Sequence, residues 1–364
     1  MTTETSDPPV GRTRKRATKG ATMAAVARRA GVSAMTVSNV INNKVSVQPG
    51  TREAVLKAIA ELDYRPNAAA RALASASTLR IGLLHRDQDS ALLSAMLVGS
   101  LKAASRIGVQ LIIQPYNPDT ALEDILEFAE SGLDGLLLPP PLCEQFSDSG
   151  LSARINIPVV AMAPGTSLPD IACVRIDDEA AAFALTSSLI VHGHRRIAFV
   201  LLPGTHVGKA RLEGYRRALR EAGIPEDPDL IWQARPTFSE GLVLAERKLG
   251  TAEKPVAQGP FTAIMAGNDD MAAAFVNVAL RLGKRIPEDL SITGFDDTPI
   301  AIKIWPTLTT VRQPLAEIAE QATELLIAML RNPSAQGPSA QGAVPRFVDY
   351  KLVERASVAD VAPE

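Results

Sequence analysis

The sequence predicts an α/β protein, with a small helical domain followed by a two-lobed body of doubly wound parallel sheets. Two observations predict the body: from Thr78 onward short apolar runs alternate with longer helical patterns, and this βαβα order occurs twice in succession. A third predicts the helical domain, because two short helical patterns flank Gly31 near the start of the chain. At 364 residues, the chain is long enough to bury more than one core.

The stretch ATMAAVARRAGVSAMTVSNVIN, residues 21–42, contains the two short helical patterns. Each has three apolar residues on one face, which are Val26, Ala27 and Ala30 in the first pattern and Val37, Val40 and Ile41 in the second. Gly31 suits a left-handed C-cap for the first helix, and Ser33 suits an N-cap for the second. A turn this tight predicts a helix-turn-helix. A capped pair of surface helices in a larger helical domain is the alternative.

The second helix would present small or polar side chains and one methionine outward once its apolar face is buried. These residues are Ser33, Ala34, Met35, Ser38, Asn39 and Asn42, with no carboxylate among them. Hydroxyls and amides suit contact with phosphates and base edges. The charge distribution agrees, because residues 1–80 carry 13 Lys and Arg against 5 Asp and Glu in a chain of net charge −2. A basic segment on an acidic body indicates a polyanionic partner.

The rest of the N-terminal region has weaker patterns. QPGTREAVLKAIAELDY, residues 48–64, predicts a third helix. Asn67 can cap a further helix over residues 68–73, but that helix is too short and too weakly apolar to be stable alone. We therefore expect residues 67–78 to be a linker, a helix ordered by an outside partner, or both. Residues 1–20 are basic and are predicted to be a disordered tail.

The body contains eight short apolar runs that predict buried strands. Four lie in its first half, LRIGLLH, VQLIIQP, DGLLLPP and IPVVAMA, and four in its second, CVRID, RIAFVLLP, TAIMAGND and LSITGFDD. Helical patterns lie between them at Ala91–Arg106, Ala121–Ser131, Glu179–His192 and Lys209–Ala222. Two such series predict two lobes with a cleft between them, and ligands bind beyond the carboxyl ends of strands in such sheets. The tandem repeat PSAQGPSAQG, residues 333–342, has the composition of a mobile surface loop.

Composition and motifs argue against several classes of function. The sequence has no run of 18 apolar residues and no apolar segment after its first basic residues, so we expect neither a membrane span nor a secretory signal. Cys143 and Cys173 lack metal-ligand spacing and are expected to be thiols in a reducing cytoplasm. The four histidines form no zinc or triad pattern, so we expect no enzyme, metal or cofactor. A free-standing solute-binding protein is an alternative that the helix-turn-helix disfavours.

A series of segments resembles the lactose-repressor (LacI/GalR) family of bacterial regulators. TMAAVARRAGVSAMTVSNVINN and VSVQPGTREAVLKAIAELDYRPNAAARAL are followed, in that family's order, by GHRRIAFV, RLEGYRRALREAGI, AGNDDMA, IPEDLSITGFDDTP and PTLTTVRQP. The likeness covers roughly residues 21–357. It implies a cytoplasmic homodimeric or larger transcriptional regulator, most often a repressor. A small-molecule effector, a sugar or other polar metabolite, would bind between two periplasmic-binding-protein-like lobes and control affinity for a roughly palindromic double-stranded DNA operator.

The resemblance also implies a division of the chain. The segments are a basic tail (1–20), the helix-turn-helix headpiece (21–66), a hinge helix and linker (67–78), and an effector-binding and dimerisation domain (79–357). Within that domain, lobe one comprises about residues 79–176 and 310–332, lobe two comprises about residues 177–309 and 344–357, and residues 333–343 form a flexible loop.

For DNA, the resemblance implies that Ser33 to Asn42 form a recognition helix for the major groove. Ala34 and Met35 stand at the family's specificity-setting pair, and Asn39 stands where many relatives have arginine. Asparagine pairs best with adenine and arginine with guanine, whereas Ala34 and Met35 offer only apolar contact. Met35 as a partly exposed filler without a role in specificity is the alternative.

The remaining DNA contacts are expected from residues that face the DNA phosphates and from the hinge. Phosphate contacts are expected from Thr22, Ser33, Thr36, Ser38 and Asn42. The hinge segment NAAARAL includes Asn67, Ala70 and Leu73, and the resemblance implies that Leu73 wedges into a central minor-groove step of the operator. Unstacking costs a few kcal/mol, which the contacts of a bent duplex offset.

For the effector, the resemblance assigns contacts to Arg211, Asn268 and Asp296. Structural roles are the alternatives: Arg211 paired with Glu213 or Asp178, Asn268 capping the helix at Met271, and Asp296 capping a turn. The first lobe departs from the family, because HRDQDSALLSAM lacks the usual aromatic residues, so a stacked hexose is less expected. His85, Arg86 and Asp87 could bind a polar or acidic ligand or merely line a wet cleft. A regulator controlled by a protein partner is a further alternative.

Overall fold

The computed structural model describes residues 22–41, 48–62, 78–86, 91–250, 261–332 and 345–361. It divides the chain into two units, Met1–Thr78 and Leu79–Glu364. Several predicted features lie outside the described residues: the tail 1–20, the hinge residues Asn67, Ala70 and Leu73, the loop 333–343, and Asn42 and Asp87. The side chain of Ser38 lies outside them as well.

The first unit contains three helices, α1 (Met23–Ala30), α2 (Ala34–Ile41) and α3 (Pro49–Glu61). The predicted caps are present: Gly31 ends α1 with a left-handed φ of 68°, and the Ser33 hydroxyl accepts the Thr36 N–H at 3.1 Å at the start of α2. The Thr22 hydroxyl caps α1 by accepting the Ala25 N–H. All three helices contribute to one small core, formed by Val26, Ala27, Val37, Val40, Val55 and Ala58.

The first lobe of the body is built on a six-stranded parallel sheet of order β11-β5-β4-β3-β1-β2. Its strands are β1 (Arg80–His85), β2 (Gln110–Pro115), β3 (Gly135–Leu138), β4 (Val159–Met162), β5 (Ala172–Arg175) and β11 (Arg346–Phe347). Its helices are α4 (Ala91–Ile107), α5 (Ala121–Glu130), α6 (Leu142–Asp148) and α12 (Leu315–Arg331), with a 3₁₀ turn at Leu151–Arg154. The four residues of β3 are all buried, as a parallel sheet covered on both faces requires.

The second lobe is built on a four-stranded parallel sheet of order β7-β6-β8-β9. Its strands are β6 (Ile197–Leu201), β7 (Ile231–Gln233), β8 (Ala263–Met265) and β9 (Ser291–Thr293). Its helices are α7 (Asp178–Val191), α8 (His206–Glu221), α9 (Phe238–Leu249), α10 (Asp269–Arg281) and α11 (Ile300–Lys303), with a 3₁₀ turn at Pro228–Leu230. A separate antiparallel pair joins β10 (Thr310–Arg312), which follows β9 in the chain, to β12 (Lys351–Val353), which follows β11.

The sheet pairing bears on two expectations about the lobes. The run CVRID was grouped with the second half by its pattern, whereas the division implied by the family resemblance ended lobe one at about residue 176, and β5 pairs with β4 in the first sheet. Residues 344–357 were assigned to lobe two, but Phe347 pairs with Arg175 in the first sheet, so the last crossing follows β11. A short apolar run favours a strand without indicating which neighbour it pairs with, because that choice depends on contacts distant in sequence.

The chain therefore passes between the lobes three times, after β5, after β10 and between β11 and β12. At the first passage, Asp177 caps α7 by accepting the Ala180 N–H at 2.9 Å. In the described part of the chain, no helix has the length and apolar character needed to cross a membrane.

Candidate functional site

The exposed face of α2 carries the residues that the sequence predicted to meet DNA. Val37 and Val40 are buried, whereas Ser33 and Ala34 are exposed and Thr36 and Asn39 are half-buried. Met35 is 71% exposed, so most of its side chain is accessible to a partner.

The hydroxyl groups of Ser33 and Thr36, at the start of α2, are within hydrogen-bond distance of each other. Ser33 Oγ and Thr36 Oγ1 lie 2.9 Å apart, and Ser33 Oγ also accepts the Thr36 N–H. Neither the first turn of α1 nor that of α2 contains an acidic residue. The positive end of each helix dipole is therefore not neutralised by a carboxylate in its own first turn, which favours an anion there.

A cavity of about 500 Å³ lies between the lobes. Its first-lobe wall is apolar and consists of Ala91, Leu92, Pro140, Pro141 and Ala163. Its second-lobe wall is mainly polar and includes Thr205, Arg211, Thr237, Ser239, Asn268, Asp269, Asp270, Asp296 and Thr298, with Leu202, Val207, Pro236 and Phe238 supplying apolar surface. Gln313, which follows β10, completes the lining. The size suits a small metabolite.

Arg211 of α8 is the cation of this cavity and is 4% exposed. Its Nε donates to Asp178 Oδ1 at 2.9 Å, and its Nη1 donates to the Gly267 carbonyl at 2.7 Å. Its Nη2 lies 3.5 Å from Asp296 Oδ1, and its guanidinium carbon lies 3.5 Å from the centre of the Phe295 ring. The pairing with Asp178 that the sequence left open is therefore present.

Two further carboxylates shape the second-lobe wall. Asp269 accepts the hydroxyl proton of Thr310 at 2.7 Å with one oxygen and the Thr298 N–H at 2.6 Å with the other. Asp296 has a φ of 101°, a left-handed conformation that non-glycine residues adopt mainly where their surroundings enforce it. Its N–H donates to the Val311 carbonyl at 2.8 Å. The wall is thus tied to β10, where the chain returns to the first lobe.

Burial shifts the acidity of these groups. Desolvation raises the pKa of Asp178 to about 6, although Arg211 opposes the shift. Desolvation and the neighbouring Asp296 raise the pKa of Asp269 to about 7, although hydrogen bonds from Thr310 and Thr298 oppose the rise. Burial also raises the pKa of Asp296. Clusters of perturbed carboxyl groups in a cavity are common at functional sites.

Asn268 uses both ends of its amide. Its Oδ1 accepts the Met271 N–H at 3.0 Å and caps α10, as the structural alternative held, while its Nδ2 donates to the Pro236 carbonyl at 3.2 Å. It lines the cavity nevertheless.

The first-lobe residues His85 and Arg86, predicted from sequence as candidate effector contacts, do not line the cavity. His85, at the end of β1, is buried, and its Nδ1 has no hydrogen-bond partner within the described residues. Arg86 is exposed, and neither residue is among those that line the cavity. Pro140 and Pro141 were not predicted as site residues, although Pro140 ends the predicted strand DGLLLPP and Pro141 directly follows it, where a ligand was expected. Ala163, the last residue of the predicted strand IPVVAMA, was not predicted either.

Comparison with known proteins decides the family. The profile for bacterial regulatory proteins of the lacI family matches residues 22–67, and that for the periplasmic binding protein-like domain matches residues 186–358. Catabolite control protein A of Priestia megaterium is 33% identical over 332 residues, covering 90% of this chain and 97% of that protein. The HTH-type transcriptional repressor PurR of Klebsiella pneumoniae (strain 342) is 33% identical over 349 residues, covering 93% and 97%.

This chain belongs to the LacI family of bacterial regulatory proteins. The family resemblance and fold class predicted from sequence are thereby confirmed. The structure of the transcriptional regulator CelR in its cellobiose complex superposes with a TM-score of 0.65 at 28% identity, over 93% of this chain and 99% of that one. A lac repressor dimer bound to operator and the anti-inducer ONPF superposes with a TM-score of 0.72 at 24% identity, over 94% and 100%, which shows a shared fold.

Family membership assigns the general activity. The chain is a DNA-binding transcriptional regulator of the repressor type, with an effector-binding body. The relatives named above are regulators and not enzymes, in agreement with the sequence prediction.

Proposed function

We propose that this protein is a cytoplasmic homodimeric repressor that binds a roughly palindromic operator and releases it when a small polar effector binds between the lobes. The observation that carries the proposal is the cavity between the lobes, with the buried Arg211 and the partly buried Asp296 on one wall. A ligand that contacts both walls has different affinities for open and closed lobes, and that difference can bias the protein between two states.

The effector proposed here is rich in hydroxyl groups and carries no negative charge. The cavity is lined by Asp269, Asp270 and Asp296 against a single arginine, and that arginine is already held by Asp178 and the Gly267 carbonyl. Carboxylates accept hydrogen bonds from hydroxyls and repel anions. The apolar first-lobe wall suits the carbon face of such a molecule. The cellobiose bound by CelR has this chemistry.

For the operator, we propose that Met35, Ala34 and Asn39 meet base edges, while Thr22, Ser33, Thr36, Ser38 and Asn42 meet phosphates. The exposure of Met35 and the half-exposed position of Asn39 support the first group. Two symmetric recognition helices require symmetric half-sites. The insertion of Leu73 into a minor-groove step, and DNA contact by Asn67 and Ala70 of the same hinge, are proposed from the family resemblance alone.

The proposed dimer has support in the first lobe. Val98 and Leu101 on α4 and Ile113 on β2 are exposed apolar side chains, and β2 is the edge strand of its sheet, beside α4. The expected species in analytical ultracentrifugation is a dimer.

The experiment that tests the operator proposal is selection of DNA fragments by the purified full chain and by Asn39→Arg. The parent should select a palindrome whose affinity falls with salt at a log–log slope of about −5 or steeper. The variant should shift preference toward guanine at one base pair per half-site, by about 1–3 kcal/mol. A flat salt response would exclude this binding mode, and identical selected sites would show that Asn39 faces no base.

The effector proposal is tested by a thermal-shift screen of the full chain with neutral sugars, polyols and nucleosides beside sugar phosphates and dicarboxylic acids. The expected result is a rise in unfolding temperature with a member of the neutral set. Stabilisation by the acids alone would contradict the proposed charge of the effector.

A further inference from the structure

One cluster of polar contacts between the lobes takes no part in lining the cavity's polar wall. It joins Glu144 and Asp148 of α6 and the loop after β4, both in the first lobe, to His206 at the start of α8 in the second lobe. Glu144 is 2% exposed although it is an acid. A buried carboxylate is costly unless it is hydrogen-bonded, so its partners indicate what it stabilises.

Both carboxylate oxygens of Glu144 accept backbone protons. Oε1 accepts the Gly165 N–H at 3.1 Å, within the first lobe. Oε2 accepts the His206 N–H at 2.8 Å, across the two lobes. His206 begins α8, where the first N–H groups have no partner inside the helix and the dipole favours a negative charge.

The His206 side chain makes two more contacts with the first lobe. Its Nε2 lies 3.1 Å from Asp148 Oδ2, and its Nδ1 lies 3.1 Å from Thr166 Oγ1. His206 therefore bonds to the first lobe through its backbone and through both ring nitrogens.

Steric contact completes the cluster at Gly165. A Cβ built on Gly165 would lie 2.0 Å from the Val207 nitrogen and 2.3 Å from the His206 carbonyl carbon. The loop is held in place on its own lobe, because Arg175 Nη2 donates to the Gly165 carbonyl at 2.8 Å and Ala163 has a φ of 51°. Gly165 itself does not have a positive φ. Its lack of a side chain is therefore needed for the approach of the second lobe and not for its own conformation.

We propose that Glu144, Asp148, Gly165 and His206 form an interlobe clasp that holds the body closed without effector and thereby sets its basal operator affinity. The part that concerns operator affinity rests on the function proposed above. Glu144 is a positioning residue: it is not among the residues that line the cavity, and it acts through the N-terminus of α8, whose Thr205, Val207 and Arg211 do line it. Lobe opening breaks three polar contacts of His206 and leaves the Gly165–Glu144 bond intact.

Lobe opening should therefore expose the amide of His206 and leave that of Gly165 protected. The test measures hydrogen-exchange rates of these two amides in the full chain without effector. The variants are Gly165→Ala, whose methyl group cannot fit against Val207, Glu144→Gln, and the milder Asp148→Asn, whose side chain is 64% exposed in the parent. Glu213→Gln is the control, since it makes the same change of carboxylate to amide on the outer surface of α8.

The expected result is exchange at His206 faster by about tenfold or more in Gly165→Ala and Glu144→Gln, the effect of losing one hydrogen bond to a charged group. Asp148→Asn should show a smaller increase and the control none. In Gly165→Ala, the amide of residue 165 should stay protected, because its bond to Glu144 lies within one lobe. Unchanged exchange at His206 in Gly165→Ala overturns the clasp, and so does equal loss of protection at residues 165 and 206, which indicates local unfolding.

A second experiment measures the affinity of the same variants for a selected operator fragment, again without effector. Gly165→Ala and Glu144→Gln should change operator affinity at least tenfold in the same direction, while Glu213→Gln leaves it unchanged. Opened lobes with unaltered operator affinity would overturn the regulatory role. If the parent binds no DNA sequence specifically, the proposed function fails, while the exchange measurement still decides whether the clasp exists.

Discussion

The two walls of the interlobe cavity differ in how they are built. The second-lobe wall is a hydrogen-bonded assembly in which Arg211 joins Asp178, Gly267 and Asp296, and Asp269 joins Thr298 and Thr310. The first-lobe wall presents the apolar residues Ala91, Leu92, Pro140, Pro141 and Ala163, and Gln313 lies where the chain crosses back after β10.

The difference shows how the two lobes divide the work. Buried polar groups must be satisfied before any ligand arrives, so the second-lobe wall is part of the fold as well as of the site. An apolar wall needs no partner and can move relative to a ligand without leaving a group unsatisfied. Substitutions in the second wall should therefore change stability, while those in the first should chiefly change ligand binding.

Removal of Arg211 should have the largest effect. Arg211→Ala leaves the buried carboxyl group of Asp178 without its cation, and breaking a buried pair in this way costs about 3–5 kcal/mol. The measurement is the free energy of unfolding in urea, with Arg216→Ala as the control because Arg216 pairs on the surface. Equal, small losses in both variants would mean that the second-lobe wall is not a structural assembly.

The pH dependence of Asp269 should come next. Its pKa is about 7 in the folded chain against an ordinary 3.8, so between pH 4 and 7 the folded state holds a proton that the unfolded state has lost. The contribution of Asp269 to the free energy of unfolding therefore falls as the pH rises. The free energy of unfolding of the parent minus that of Asp269→Asn should decrease by about 2–4 kcal/mol from pH 4 to pH 8.

Asp289 provides the matched control for that titration. Hydrogen bonds from Arg285 lower its pKa to about 2 against an ordinary 3.8, so above about pH 5 it is ionised in both the folded and the unfolded state. The free energy of unfolding of the parent minus that of Asp289→Asn should show no slope between pH 5 and pH 8. A similar slope for both substitutions would indicate that Asp269 does not cause the pH dependence of the free energy of unfolding.

The smallest effect on stability is expected in the first wall. Leu92 is half-buried and faces the cavity, so Leu92→Ser should cost less than about 1 kcal/mol, in the range of ordinary surface changes. Leu83→Ser, on a fully buried residue of the same lobe, should cost several times more in the same urea titration. A large loss in Leu92→Ser would remove the distinction between the walls.

Much of the helical geometry could be read from local signals. Gly31 and Ser33 cap their helices as predicted, and α4, α5 and α7 begin and end within a residue or two of the predicted bounds. These features depend on side chains within one turn of each other. Strand β7 and helix α9 were not predicted. β7 is an edge strand with only one buried residue of three, so it lacks the continuous apolar run by which the equally short β8 and β9 were recognised.

The candidate site was only partly predictable. The order of strands and helices indicated a cleft, and the family motifs indicated Arg211, Asn268 and Asp296, which do line the cavity. Nothing in the sequence indicated that Asp178, 33 positions from Arg211, is its hydrogen-bond partner rather than Glu213. The loop at Ala163 and Gly165 gave no signal either, because its importance comes from the approach of Val207.

The sequence by itself determined the helix-turn-helix, the alternation of strands and helices, the family and the general activity, since caps, periodicity and motifs are local properties of the chain. Only the tertiary structure decided that β11 joins the first sheet, that Arg211 pairs with Asp178, and that Glu144 reaches the start of α8. Each of these depends on which distant segments come within about 3 Å of one another, as a hydrogen bond requires. That distance is set by the packing of whole layers and has no counterpart in a local sequence pattern.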